Sequence, residues 1–97
     1  MFMKENQVKQ FELDFSQCRY SGEIYAIIQK EMELPEWFGN NLSAFWDALT
    51  GMIEVPAVIV FHRQTKNQEL VPLVEKLIAI AHRAAKEEFL GITVIEK

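Results

Sequence analysis

The sequence predicts an α/β fold in which a three-stranded parallel sheet packs against helices. Three segments have strand character: residues 8–15, the continuous apolar run at 57–61, and residues 92–95. Segments with a helical spacing of apolar residues separate them. Strands that are joined by helical crossovers run parallel, and such crossovers are right-handed in almost all proteins.

Two different periodicities indicate the first strand and the first helix. The strand alternates only partially, which suits the edge of a sheet. Its apolar residues are Val8, Phe11, Leu13 and Phe15. The helix has apolar residues at three- and four-residue steps. They are Ile24, Ile27, Ile28 and Met32. Ser21 is the predicted N-cap of this helix, and Pro35 ends or follows it.

A second helix is predicted at residues 41–50, with clear start and stop signals. Asn41 can cap its amino end, and Gly51 can lie just beyond its carboxyl end. On a helix with about 100° per residue, one face collects the expected core residues. These are Leu42, Phe45 and Leu49. The next face is polar and consists of Ser43, Asp47 and Thr50. Trp46 lies on the border between the two faces, and beyond Asp47 a small-residue face consists of Ala44 and Ala48.

The second half of the chain predicts a strand, a loop, a long helix and a final strand. The apolar run at 57–61 fits a strand buried on both faces. The polar loop at 62–69 can hold a short helical turn, and Pro72 suits the first turn of the long helix. One apolar stripe along that helix comprises Leu73, Val74, Leu77, Ile80, Ala81, Ala84 and Ala85. Gly91 precedes the last strand.

Composition predicts one domain over residues 1–97, with residues 1–7 as a loose end. The chain is 97 residues long and 49% apolar, which is enough for one modest core. Its net charge of −4, without a basic patch, argues against nucleic-acid binding and favours a basic protein partner. Cys18 is the single cysteine, and neither a signal peptide nor a membrane span is recognisable. The expected location is therefore the cytoplasm.

Enzyme and metal-site motifs are missing, so no cofactor, metal or small-molecule substrate is expected. His62 and His82 have no cysteine or histidine at ligand spacing. The four glycines form neither a dinucleotide fingerprint nor a P-loop, and no Gly-x-Ser-x-Gly turn occurs. Cys18 has no activating neighbour in sequence. Glu87 and Glu88 are adjacent and cannot share a helix face, so they predict a solvated helix end or an extension of an acidic patch.

The segment from 35 to 51 has the character of a binding surface, because it places four aromatic residues within ten positions. It also places Asp47 near a helix carboxyl end, where an acid costs a few tenths to about 1 kcal/mol unless it is used. The plain alternative is that Trp46 belongs to the core and Asp47 is a solvated acid. In the preceding loop, Trp37 is expected to be exposed, Phe38 to face inward, and Gly39 to have a positive φ.

Residues 34–51 read Leu-Pro-Glu-Trp-Phe-Gly-Asn-Asn-Leu-Ser-Ala-Phe-Trp-Asp-Ala-Leu-Thr-Gly, which resembles the central motif of the barstar family of intracellular ribonuclease inhibitors. The match rests on Leu-Pro, aromatic-aromatic-Gly, Asn-Leu, Trp-Asp and Leu-Thr-Gly at fixed spacing. Pro56 and the terminal Ile-Thr-Val-Ile extend it weakly over the whole domain. The resemblance implies a barstar-like three-stranded parallel sheet on helices. It also implies an inhibitor that fills a ribonuclease active site with helix 41–50 and the preceding loop.

The resemblance also implies roles for individual positions. In that family the acid at the position of Asp47 enters the phosphate-binding site of the nuclease and meets its cationic residues. The residue at the position of Trp37 stacks against the nuclease. The predicted partner-binding residues are Trp37, Gly39, Asn41, Ser43, Trp46, Asp47, Thr50 and Gly51.

Three departures from the family pattern leave the target open. Ser43 replaces the second helix acid of the family, Met52 replaces an aromatic residue, and Ala84 replaces an acid on the long helix. The leading hypothesis is a non-enzymatic inhibitor of a basic microbial ribonuclease. One alternative is an immunity or regulatory module for a non-nuclease toxin or other partner. The other is a small enzyme that uses Asp47 as an acid or base, which would require a deep pocket with convergent groups.

Overall fold

The computed structural model describes residues 8–87 and 91–97. The three strands are β1 (Lys9–Asp14), β2 (Ala57–His62) and β3 (Ile92–Glu96). The helices are α1 (Ser21–Glu31), α2 (Leu42–Gly51) and α3 (Val71–Glu87), and a 3-10 turn, Gln68–Leu70, directly precedes α3. All three strands are parallel, so the predicted fold class is confirmed. The predicted loose end at 1–7 and the predictions for Glu88 lie outside the described residues.

The sheet has the unreversed strand order β1-β2-β3. Both crossovers therefore progress in the same direction across the sheet, and connections of one hand place their helices on the same face. The burial pattern agrees, because the strand residues that join the hydrophobic core alternate along each strand. They are Phe11, Leu13, Ala57, Ile59, Phe61 and Ile92, with Val94 partly buried against them. The helices and the core thus lie on one side of the sheet.

The second face of the sheet carries the alternate residues of each strand. Val60 is only 2% exposed, yet it is not part of the main core cluster. Its neighbour in register on β1 is Glu12, whose carboxylate contacts His62 Nε2 at 2.7 Å. Val58 on the same face is half-buried. The predicted burial of β2 on both faces is therefore correct for Val60 and only partly correct for Val58.

The amino end of α1 differs from the prediction. Ser21 is the first helical residue, and the N-cap position belongs to Tyr20, which makes no side-chain capping bond. The Glu23 carboxylate in the first turn instead binds the segment before the helix, because its Oε1 accepts the Arg19 backbone N–H at 2.6 Å. The Arg19 guanidinium also donates to this carboxylate, and this bond holds the pKa of Glu23 below its usual value.

The long helix α3 agrees with its predicted stripe. Pro72 lies in its first turn, and the 3-10 turn that precedes it confirms the helical turn expected in the loop. The buried residues of α3 are Val74, Leu77, Ile78, Ala81 and Ala84. Ile78 was missing from the predicted stripe because it lies one residue beyond Leu77 and widens the apolar face. Ala84 is directed into the core, so this position adds no side chain to the surface.

Candidate functional site

Helix α2 is fixed at its amino end by the predicted cap. Asn41 Oδ1 accepts a hydrogen bond from the Ala44 backbone N–H at 2.8 Å, in the usual N-cap arrangement. The buried face of α2 consists of Phe45, Ala48 and Leu49. This face packs against the core, and α2 also contacts α3. Asn41 therefore orients the helix that carries the candidate site.

Replacing Asn41 by alanine should lower the free energy of unfolding by about 1 kcal/mol, because the first turn of α2 loses its cap. Urea denaturation of Asn41→Ala measures this loss as a shift in the midpoint. Asn40→Ala is the matched control, since Asn40 is an exposed neighbour outside the cap. Equal midpoints for the two variants would show that the capping bond contributes nothing.

The loop before α2 separates its two aromatic side chains. Trp37 is 73% exposed and Phe38 is 6% exposed, so both predicted orientations are confirmed. The prediction for Gly39 is wrong, because Gly91 is the one glycine of the described residues with a positive φ. Crowding accounts for Gly39 instead: an added Cβ would meet Asn41 Nδ2 at 3.1 Å. A glycine at this position lets the loop pass close to the capped end of α2.

The face of α2 that points away from the core carries the predicted polar residues. Ser43 and Asp47 are exposed, whereas Thr50 is half-buried and donates its hydroxyl to the Trp46 carbonyl at 2.9 Å. Ala48, which was predicted to share a small-residue face with Ala44, is 0% exposed. Ala48 lies three residues after Phe45 and next to Leu49, so it completes the buried stripe. Ala44 is half-buried and packs against the core cluster.

The carboxyl end of α2 also differs from the prediction. Gly51 is the last helical residue, and the C-cap is Met52, whose N–H donates to the Ala48 carbonyl. Gly51 is therefore not a left-handed residue beyond the helix. It is exposed, and apart from its chain neighbours and the backbone of its own helix no described atom lies within 4 Å of where a Cβ would be. The absence of a side chain leaves the surface open at this end of α2.

Trp46 lies at the border of the two faces, as predicted, and contacts both the core and α3. It is half-buried against the core cluster. The Arg83 guanidinium carbon lies 4.7 Å from the centroid of its ring, within the range of a cation–π interaction. Trp46 and Asp47 border an open depression of about 370 Å³. The lining consists of Leu42, Ser43, Trp46, Asp47, Ile80 and Arg83.

Sequence reasoning did not find the contribution of α3 to this depression. The apolar stripe identified Ile80 as a packing residue, and nothing singled out Arg83. Helical periodicity shows which residues of a helix share a face, but it does not show which other helix that face meets. No local signal in the sequence could have placed Arg83 beside Asp47.

Among the described residues, the other titratable or nucleophilic side chains that the sequence singled out are either paired with another ionisable side chain or buried. His62 contacts Glu12 and His82 contacts Glu96. Within residues 8–87 and 91–97, no cluster of histidine, cysteine and acidic residues could hold a metal ion. Cys18 is buried, and burial raises the pKa of its thiol, which makes it less reactive. Glu87 pairs with Arg83 at the end of α3.

A larger, open and polar hollow of about 1010 Å³ lies at the carboxyl ends of the strands, next to Asp14, His62 and Lys97. Ligand sites of open α/β sheets form at such ends where the strand order reverses. The order β1-β2-β3 contains no reversal, so the hollow does not lie at such a point.

None of the helices in the described parts of the chain has the length and apolar character needed to cross a membrane.

Comparison with known proteins agrees with this geometry. A family model described as "Barstar (barnase inhibitor)" matches residues 8–94. A Bacillus subtilis (strain 168) protein named "Putative ribonuclease inhibitor YrdF" is 26% identical over 61 residues. That similarity covers 62% of this chain and 67% of the relative. Since the family model spans nearly all of the sequence, including α2 and the loop before it, the chain belongs to the barstar family.

Proposed function

We propose that this protein is a stoichiometric inhibitor of a basic, barnase-like microbial ribonuclease, whose active site it covers with α2 and the preceding loop. The observation that carries the proposal is the state of Asp47. Its side chain is exposed on α2, and within the described residues no hydrogen bond or ion pair engages its carboxylate. A carboxylate held free on a rigid helix can occupy a site that normally receives a substrate phosphate.

The surroundings of Asp47 suit a protein partner. Trp37 in the loop before α2 exposes most of a large aromatic surface, and such residues are frequent anchors of protein interfaces. The half-buried Trp46 adds a rigid apolar edge next to the acid. An overall charge of −4 also favours rapid encounter with a basic nuclease.

The same geometry argues against catalysis by Asp47. The depression beside it is open, and among the described residues no hydrogen bond joins the Asp47 carboxylate to Ser43, the one hydroxyl of the lining. An active site normally needs several convergent groups in an enclosed pocket. Inhibition by surface complementarity requires only that the acid and the aromatic residues be held rigidly.

The direct test titrates a fixed concentration of barnase with the purified protein and follows RNA cleavage. We expect activity to fall linearly and to reach zero near one equivalent. The Asp47→Ala variant serves as the matched control and should need a clear excess over one equivalent to reach the same inhibition. Full nuclease activity at a large excess of the folded wild type, for barnase and for a panel of other basic microbial ribonucleases, would contradict the proposal.

A second candidate is an immunity or regulatory module for a partner that is not a nuclease. The observation that favours it is the composition of the Asp47 depression, which contains Ser43 and Arg83 and no second acid. A purely cationic partner site would bind such a mixed surface less tightly than a surface with two acids. A specific complex with a toxin of another class, combined with no inhibition in the ribonuclease panel, would support this candidate.

Changing Ser43 to aspartate tests the effect of a second acid. Ser43 and Asp47 are one turn apart and line the same depression, so the variant presents two carboxylates on one face. We expect association with barnase to become about two- to tenfold faster at low salt. The gain should largely disappear near 1 M salt, where the Debye length is about 3 Å. Stopped-flow association rates measure both effects.

Thr93→Asp is the matched control for this prediction. It adds the same charge at an exposed position on the second face of the sheet, away from α2. Against the protein's own partner, Ser43→Asp should help little or do harm. Equal acceleration by the two aspartate variants would show that only net charge matters, and equal acceleration toward both partners would show that Ser43 does not influence target choice.

A further inference from the structure

Arg83 is held in a defined orientation at the edge of the Asp47 depression. Its guanidinium lies over the Trp46 ring at 4.7 Å, and its Nε donates to Glu87 Oε1 at 3.2 Å. The side chain is nevertheless 62% exposed. Stacking on an aromatic ring restricts the plane of a guanidinium, so the side chain loses less conformational entropy when it later forms a hydrogen bond. Arg83 is therefore already oriented before any partner arrives.

The opposite charges of Arg83 and Asp47 line the same depression without pairing. Within residues 8–87 and 91–97, no ion pair joins them, and no hydrogen bond uses the two terminal Nη groups of Arg83. The bond to Glu87 engages only Nε, and an exposed pair of this kind is weak because solvent screens it. The face thus presents a free acid and a largely free, planar donor group side by side.

We infer that Arg83 is a specificity-determining residue of this face, and that the partner carries a carboxylate next to the cationic site that receives Asp47. The inference rests on the proposed function and adds the chemistry of the partner residues around that cationic site. A guanidinium fork matches a carboxylate with two parallel hydrogen bonds, which fixes orientation as well as charge. A partner surface that is cationic throughout would instead be repelled by Arg83.

Arg83 can therefore strengthen binding to one nuclease and weaken binding to another. It favours a nuclease with an acid at the correct place and disfavours a related nuclease without one. Like charges placed opposite each other at an interface weaken binding, so one arginine can separate two similar targets. This is consistent with the exposed serine at position 43, because a second acid there would lie in the same depression and offset the charge of Arg83.

The test uses barnase first and then other basic microbial ribonucleases until the wild type inhibits one of them. Dissociation rates are compared for wild type, Arg83→Gln and Arg83→Lys. Lys66→Gln is the matched control, because it removes one positive charge from the distant loop after β2. We expect Arg83→Gln to dissociate at least tenfold faster, Arg83→Lys to be intermediate because it keeps the charge but loses the fork, and Lys66→Gln to change the rate less than twofold.

A double-mutant cycle then identifies the partner carboxylate. Each acidic residue on the bound face of the nuclease is changed singly to its amide. With one of these nuclease variants, Arg83→Gln should not speed dissociation any further. Since the same change speeds dissociation from the unmodified nuclease at least tenfold, the two residues would then be coupled by at least tenfold. Urea midpoints and tryptophan fluorescence of the free variants verify that the Trp46 region is intact, and Arg83→Lys carries the test if the glutamine variant unfolds.

Three results would overturn the inference while leaving the proposed function in place. Arg83→Gln could behave like Lys66→Gln, it could bind more tightly than wild type, or no nuclease acid could couple to it. In each case Asp47→Ala would still weaken inhibition. A folded wild type that inhibits no member of the panel would overturn the proposed function, and this inference would fall with it.

Discussion

Replacing Asp47 by alanine should weaken binding to the ribonuclease by at least about 2 kcal/mol, or roughly 30-fold in the dissociation constant. The carboxylate is exposed in the free protein and has no partner within the described residues, so its interaction energy is available to the nuclease. Truncating a central charge of an interface also leaves the opposing cations unpaired in a desolvated site. Inhibition assays and surface-binding kinetics measure the loss.

The folding stability of Asp47→Ala should equal that of the wild type or exceed it slightly. An acid toward the carboxyl end of a helix opposes the helix dipole, and alanine removes that penalty. Glu31→Ala is the matched control, since Glu31 is an exposed acid at the carboxyl end of α1. It should have a similar small effect on stability and none on inhibition. A variant at position 47 that loses its fold, or one that still inhibits fully, would refute the assignment.

Replacing Trp37 by alanine should also cost about 2 kcal/mol or more of binding free energy, mainly through faster dissociation. The side chain is 73% exposed, so its removal takes little away from the core of the free protein. We expect the urea midpoint and slope to stay close to those of the wild type.

Two other aromatic residues serve as controls for Trp37. Tyr20 is also exposed but precedes α1, so Tyr20→Ala should change neither stability nor inhibition appreciably. Phe38 is buried next to Trp37 in sequence, and Phe38→Ala should lower the free energy of unfolding by about 3–5 kcal/mol. A Trp37→Ala variant that resembles Phe38→Ala in stability would show that Trp37 is a core residue and not an interface anchor.

The fold could be predicted because its elements have local signatures. The apolar run of β2, the spacing of residues along α3 and the cap at Asn41 each depend on neighbours within a few positions. Parallel pairing then follows from the alternation of strands and helices. The inward orientation of Phe38 and the exposure of Trp37 were also predicted correctly, although the motif resemblance contributed to the expected role of Trp37.

The incorrect predictions concern features that depend on distant contacts or on competing local solutions. Ala48 was grouped with Ala44 on a small-residue face, and helical spacing does not reveal that α2 packs against both the core and α3. Gly39 was assigned a positive φ, whereas close contact with Asn41 is its actual constraint. Ser21 is a good cap in principle, but the helix begins one residue earlier than expected, so Ser21 is its first helical residue and Tyr20 holds the N-cap position. Arg83 reaches the site from another helix, which periodicity cannot reveal.

The one-sided packing of the sheet determines where a reporter group can be attached. Thr93 is exposed on the face opposite the helices, in register with Val58. Cys18 is the single cysteine of the sequence, and its burial together with a raised pKa slows alkylation. In Thr93→Cys the new thiol would therefore react first. A fluorophore or surface linker placed there would leave α2, Trp37 and Arg83 free to meet a partner, so binding can be recorded without modifying the candidate site.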